Sequence, residues 1–293
     1  MPYGLTKRSD LVIPEILVEA IQGEFAGKQY LFGSGAVVVN NTLPQANRGG
    51  DTVTVPYFGT LGEMEDIGNE GDALTPEKLS MSKETATVVH SGKAFERTEW
   101  SRLAEAGDAY AEAARQFVVI AGRRADKALI DVATAALPAQ YIHDVSAVGD
   151  GILNYDHVVD ATGAWGDQQE RIALIGVHSK VRRDLLKAKD SQGRYLYTLP
   201  TANNDVERFM GYPVIVSDKC KKVDVGGGNF VYESLVVKQA ALAFWYQEEP
   251  RVLTGNDILA DTEIVAIHMY WAVHRYLRVR GSTHPGVVKI VSK

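Results

Sequence analysis

The stretch over residues 49–137 constrains the fold most: two polar, β-patterned segments around an acidic, glycine-rich loop run straight into a very long helical pattern. Thr52, Val53, Thr54 and Val55 alternate with period two, as do Thr85 to Val89, which predicts two strands. Between them lie Glu63, Glu65, Asp66, Glu70 and Asp72 with Gly59, Gly62, Gly68 and Gly71, a sequence that solvates well and packs poorly. A two-stranded ribbon on its own is marginally stable in water. The expected cover for its faces is a neighbouring copy of the chain.

A helix is predicted over 98–136, because Leu103, Ala106, Tyr110, Ala113, Phe117 and Ile120 recur at spacings of three and four. Past Arg124 the stripe shifts to Ala121, Ala125, Ala128, Val132 and Ala136, the drift of a 3.6-residue turn against a seven-residue repeat. Pro138 stops it. At 1.5 Å per residue it would be about 58 Å long. Gly107 and Gly122 are candidate points of bending.

The remaining regions read differently. Before the ribbon, Ile13, Leu17, Ala20, Ile21 and Phe25 form a short amphipathic face behind Pro14, and AVVVNNTLP reads as a strand ending in a turn. After the helix, RIALIGVHS reads as a buried strand, KVRRDLLKAKD as a basic helix, and YPVIVSDKC as a further strand, together a mixed α/β unit. Gly226, Gly227 and Gly228 are placed to turn one strand into the next. Over 262–280 the odd positions Val265, Ile267, Met269, Trp271, Val273, Leu277 and Val279 are apolar, whereas His268, Tyr270, His274, Tyr276, Arg278 and Arg280 occupy the even ones. This predicts one strand, far longer than the usual five or six residues, with one face on a core.

Catalytic motifs are absent from this text. It contains no G-x-S-x-G elbow, no G-x-x-x-x-G-K-[ST] loop and no H-E-x-x-H helix, and Gly33-Ser34-Gly35 precedes a strand instead of opening a nucleotide-binding helix. His268 and His274 lie six residues apart on one strand face, about 20 Å, too far for joint metal ligation. Both are expected to be partly exposed aromatic partners on a sheet. Cys220 is the single cysteine, so neither an intrachain disulfide nor a thiolate cluster is expected. No enzyme activity, cofactor or metal is expected.

Composition, 45% hydrophobic and 23% charged over 293 residues, suits a soluble protein with room for two cores. A net charge of −6 argues against tight, sequence-specific grip on nucleic acid, though not against enclosing it. No run approaches the roughly 18 apolar residues of a membrane span, and the first residues lack the apolar region of a signal peptide, so synthesis in the cytoplasm is expected.

The order of arm, GGDTVTVP, ALTPEKLS, GKAFERTEW and alanine-rich helix resembles the major capsid proteins of tailed bacteriophages, over nearly the whole chain. The resemblance implies an α+β fold of the Hong Kong 97 type. In it, residues 1–48 are the N-terminal arm, 49–97 the extended loop, 98–140 with 260–293 the peripheral domain carrying the spine helix and long strand, and 141–259 the axial domain. It further implies hexamers and pentamers that tile an icosahedral shell around double-stranded DNA. No long charged helical segment precedes the arm here, so the resemblance implies a separate scaffolding protein or none, with a portal protein and decoration proteins as further expected partners. Lys78 and Lys83 lie in or beside the loop but match no crosslinking motif. The intersubunit contacts expected are Leu17 and Phe25 of the arm, Glu63, Glu65, Asp66 and Lys78 of the loop, and Arg182 and Arg183 of the basic helix. The alternative is an encapsulin-like compartment around an enzyme cargo.

Overall fold

The computed structural model describes residues 31, 34–40, 52–59, 61, 62, 64, 66, 73–99, 109–189, 192–199, 207–279 and 284–293. The expected arm helix, the first part of the spine, Gly107, Glu63, Glu65 and Arg280 lie outside them. In chain order the described elements are β1 (Val37–Asn40), β2 (Thr52–Phe58), β3 (Met81–Thr98), α1 (Ala109–Thr134), β4 (Ile142–Asp144), α2 (Tyr155–Thr162), β5 (Ile172–Val177) and α3 (Ser179–Leu185). They continue with β6 (Tyr197–Thr198), β7 (Arg208–Phe209), β8 (Tyr212–Val216), β9 (Lys222–Gly226), β10 (Asn229–Lys238), β11 (Leu242–Asp257), β12 (Thr262–Arg275) and β13 (Val287–Ser292).

Among the described residues these strands form two sheets. The first runs β1-β11-β12-β3-β2, and the second runs β4-β13-β10-β5-β8-β7-β6, with β9 paired to β10. The chain passes between them more than once: β11 follows β10 of the second sheet yet pairs with β12, and β13 returns to pair with β10. Gly226, Gly227 and Gly228 all have positive φ in the β9–β10 turn, the conformation that glycine adopts without a Cβ penalty.

The ribbon is more firmly rooted than the sequence predicts. Strand β3 is 18 residues long and changes partner along its length. Its outer part, Met81 to Thr87, pairs with β2, and its inner part, Val88 to Thr98, pairs with β12. Only the outer part is a two-stranded ribbon. Thr98, expected to begin the helix, is instead the last residue of β3, opposite Thr262. At the junction, Val53, Ala86, Ala243, Trp245 and Ala272 form a small core of their own. Beside it the buried His274 places Nε2 2.5 Å from Oε2 of the buried Glu84, whose carboxylate also accepts from the Leu277 backbone N–H at 3.3 and 3.4 Å. His274 is therefore a buried partner of a carboxylate and not the partly exposed residue expected. The alternation places it on the right face of β12, but the covering strand brings the carboxylate.

Helix α1 continues through Gly122 to Thr134, and its 26 residues span about 39 Å at 1.5 Å each. Its buried stripe runs through Val118, Ala121, Ala125, Leu129 and Ala133, while Ile120 is 40% exposed and Ala136 lies past the helix end. The expected shift of stripe is thus one of residues as well as of phase: Leu129 and Ala133, not Val132 and Ala136, carry the inner face. The helix ends without a basic residue in its last turn. Ala136 adopts a left-handed φ of 41°, and the buried guanidinium of Arg275, from β12, donates to the carbonyls of Ala133, Ala135 and Ala136. A cation at a helix C-terminus both satisfies orphan carbonyls and opposes the helix dipole.

Strand β12 alternates as predicted from Val265 to Trp271, but it ends at Arg275 instead of 280; beyond Trp271 both Ala272 and His274 are buried, and Leu277, expected on the core face, is 43% exposed. Val265 and Ile267 pack on Phe117 and Val118 of α1, and Trp271 stacks on Phe244 at 5.7 Å between centroids. In the second sheet, Leu174, Ile175 and Val177 of β5 and Val236 and Val237 of β10 are fully buried, as strands covered on both faces require.

Candidate functional site

No enclosed catalytic centre emerges from these elements. Among the described residues no three His, Cys, Asp or Glu side chains are grouped to hold a metal ion, and no described helix is long and apolar enough to cross a membrane. Cys220 is buried, and desolvation pushes its thiol up to about 12, far from the thiolate form a nucleophile needs. The functional surface is found on the outside.

Large apolar side chains are exposed in two recognisable places among the described residues. On the extended loop Phe58, Leu61, Met64, Leu74, Leu79 and Met81 are each at least half exposed, with Met64 wholly so. At the turn between β11 and β12, Ile258 and Leu259 stand out at 92% and 99% exposure. Several large apolar side chains left exposed along one segment make that segment a candidate interaction surface. The contacts expected on the loop are its acidic residues and Lys78; this apolar series is not among them. Its signal was present as single large side chains spaced through a polar run.

The expected contact residues fall in distinct settings. Asp66 and Lys78 are exposed on the loop, where Glu77 Oε2 accepts from the Gly62 N–H at 2.7 Å and holds the two sides together. Leu17, Phe25, Glu63 and Glu65 lie outside the described residues. In α3, His178 caps the N-terminus by accepting from the Lys180 N–H at 3.1 Å. Arg182 is turned inward: its Nε and Nη2 donate to the two oxygens of Glu207 at 2.7 and 2.5 Å, and Tyr197 Oη donates to the same carboxylate at 2.5 Å. The hydrogen bond from Arg182 holds the Glu207 carboxyl below its ordinary range, while burial first and Glu207 second push the Tyr197 hydroxyl up. Lys180 pairs with Asp184 at 2.7 Å, one turn on. Arg183, by contrast, is exposed. Much of the basic helix is therefore neutralised within the chain, and Arg183 is its outward-facing arginine.

Histidines behave in a way the sequence did not show. His268 is partnered not with His274 but with His90 of β3, with Nδ1 of His268 3.0 Å from Nε2 of His90. His90 also stacks on Tyr270 at 4.3 Å between centroids. The cross-strand register of β3 and β12 creates this cluster, so nothing local in the sequence could reveal it.

Comparison with known proteins agrees with a surface built for assembly. Residues 34–272 match the family described as Gp13-like, major capsid protein 13-like. The major capsid protein of Bacillus phage SPP1 is 24% identical over 283 residues, covering 92% of this chain and 85% of that one. That of Staphylococcus phage phiMR11 is 29% identical over 136 residues, covering 46% of this chain and 48% of that one. Among solved structures, the capsid of Ralstonia phage GP4 superposes with a TM-score of 0.65 over 88% of this chain and 87% of that one at 10% identity. The Cyanophage Pam1 capsid does so with 0.63 over 87% and 90% at 15% identity. The fold is the α+β Hong Kong 97 type implied by the sequence resemblance. A family match across most of the chain, on a fold shared with phage capsids, leads to one assignment: this chain belongs to the Gp13-like major capsid protein family of bacteriophages.

Proposed function

We propose that the chain is a structural, non-enzymatic subunit that self-assembles into hexamers and pentamers of an icosahedral phage head and encloses double-stranded DNA. The observation that carries this reading is the exposed apolar series Phe58, Leu61, Met64, Leu74, Leu79 and Met81 on a loop that its own chain leaves uncovered. In the assembled shell a neighbouring copy covers it. Acidic Glu63, Glu65 and Asp66 and basic Lys78, interspersed with that series along the sequence, set its register on the neighbour. Arg183 of α3 is a further contact, with Arg182 holding its helix in place through Glu207. Leu17 and Phe25 of the arm pack on an adjacent subunit. The four-part division into arm (1–48), extended loop (49–97), peripheral domain (98–140 with 260–293) and axial domain (141–259) is the working description of the subunit.

Such contacts suit a shell that must correct errors while it closes. Exposed ion pairs are worth about 0 to 1 kcal/mol each, so a wrongly placed copy can leave, and only the closed shell sums them all. A separate scaffolding protein, a portal and decoration proteins complete the expected partners, with synthesis in the host cytoplasm and residence in the virion. The relatives described above are phage capsid proteins, which disfavours a compartment for enzyme cargo. Size-exclusion chromatography with negative-stain electron microscopy tests the reading: the purified chain, with scaffold where needed, should yield closed shells and ring-shaped capsomers. Nuclease-protected DNA inside particles from infected cells is the second expected result. A chain that remains monomeric under all assembly conditions would falsify it.

A further inference from the structure

We propose that His90 and His268 form a two-histidine chelating site for a first-row cation of tetragonal preference, Cu²⁺ or Ni²⁺, on the outer face of the first sheet.

Four observations carry the proposal. The two ring nitrogens, His90 Nε2 and His268 Nδ1, are 3.0 Å apart. Imidazole nitrogens bound about 2.0–2.1 Å from one metal are about 2.9 Å apart at a right angle and about 3.3–3.4 Å apart in a tetrahedron, so the observed spacing lies at the tetragonal end that suits Cu²⁺ and Ni²⁺. Second, the ligands are held: the His90 ring lies nearly parallel to that of Tyr270, its register partner, with 6° between the planes. Third, room for the His268 ring depends on Gly92, which faces it across the ladder. A Cβ there would meet His268 Nδ1 at 3.2 Å and the Ile267 carbonyl at 2.9 Å. Glycine in a strand interior otherwise weakens pairing, and close approach is one recognised reason for it. Fourth, the site opens onto a groove of about 500 Å³ lined by Val88, His90, Gln247, Glu248 and Tyr270. That groove has room for the waters that fill the other coordination positions. Among the described residues no third ligand completes a cage, and the Glu248 carboxylate in the groove is paired with Arg251 at 3.1 Å.

The proton count is simple. Without metal, one of the two facing nitrogens carries the hydrogen of the N–H···N bond. With metal both must be bare, so that hydrogen moves to the other nitrogen of its own ring. Acid competes because ligand nitrogens must be unprotonated.

The test is a titration of the purified full chain with CuCl₂, read by calorimetry and by electron paramagnetic resonance. One Cu²⁺ per chain with hyperfine coupling to two imidazole nitrogens is expected. His90→Ala and His268→Ala should each weaken it at least tenfold, while His143→Ala, in the neighbourhood of His157, should leave it unchanged. Both replaced rings sit on an accessible face, and circular dichroism checks that the variants fold. The wild-type spectrum stands independently of them: a spectrum without two coupled imidazoles, or binding that survives both replacements, overturns the proposal. Shell assembly is not needed for the measurement, so its failure leaves the capsid reading untouched.

Discussion

The inner and outer parts of β3 are one continuous strand in two opposite environments. From Val88 to Thr98 it is laddered to β12 in the sheet that packs on α1, and Phe95 joins the cluster of Phe117, Val118, Val265 and Ile267. From Met81 to Thr87 it pairs with β2, and this ribbon with the loop beyond it leaves six large apolar side chains exposed. The difference separates two tasks within one element. The inner part contributes stability to the subunit, and on the proposed reading the outer part is the one left for a neighbour to cover.

The sharpest break of this comparison lies under the inner part. Trp271→Ala removes a buried ring from its contacts with Phe244 and with the Arg124 guanidinium 5.6 Å above its centre. It should destabilise the subunit by about 3–5 kcal/mol in denaturant unfolding. A loss below 1 kcal/mol would mean that the sheet and helix are not a common core. Next in size is Arg275→Met, which strips the carbonyls of Ala133, Ala135 and Ala136 of their donor. About 1–3 kcal/mol should be lost, with faster hydrogen exchange confined to the last turn of α1. Uniform exchange along the helix would contradict the capping role.

The junction between the two parts is probed by Glu84→Gln, which keeps the shape but removes the charge facing His274. About 0.5–1.5 kcal/mol should disappear from unfolding stability, with exchange rising over Met81 to Thr87 before the inner strand. Smallest in stability, and largest in consequence, is replacement of Glu63, Glu65 and Asp66 together by lysine. Unfolding should change by no more than about 0.5 kcal/mol, as for surface positions generally. Shell formation should fail in electron microscopy. Normal particles from this variant would remove the loop's charge from the account of assembly and leave its apolar series as the carrier.

Several of these features were legible in the text of the chain. Period-two alternation revealed β2, the outer part of β3 and the buried face of β12, and the three- and four-residue spacing revealed α1. The buried strand β5 and the half-buried strand β8 were visible as apolar runs because each is covered on a face that its own side chains describe. Contacts between distant segments were not. The pairing of Glu84 with His274, of His90 with His268 and of Arg182 with Glu207 joins residues 190, 178 and 25 positions apart. The inward turn of Arg182 shows the limit well: a basic helix reads as a charged outer surface until a carboxylate arrives from elsewhere to claim it.

By itself, the sequence determined the periods of its elements, the absence of catalytic motifs and membership in a recognisable lineage, because these depend on residue order along one segment. Only tertiary structure decided which strand lies beside which, that β11 and β13 exchange sheets, where the spine is capped and which apolar side chains remain uncovered. The reason is physical. Period reports which face of an element seeks burial, whereas the identity of the burying partner depends on chain paths that bring together residues with no local influence on one another.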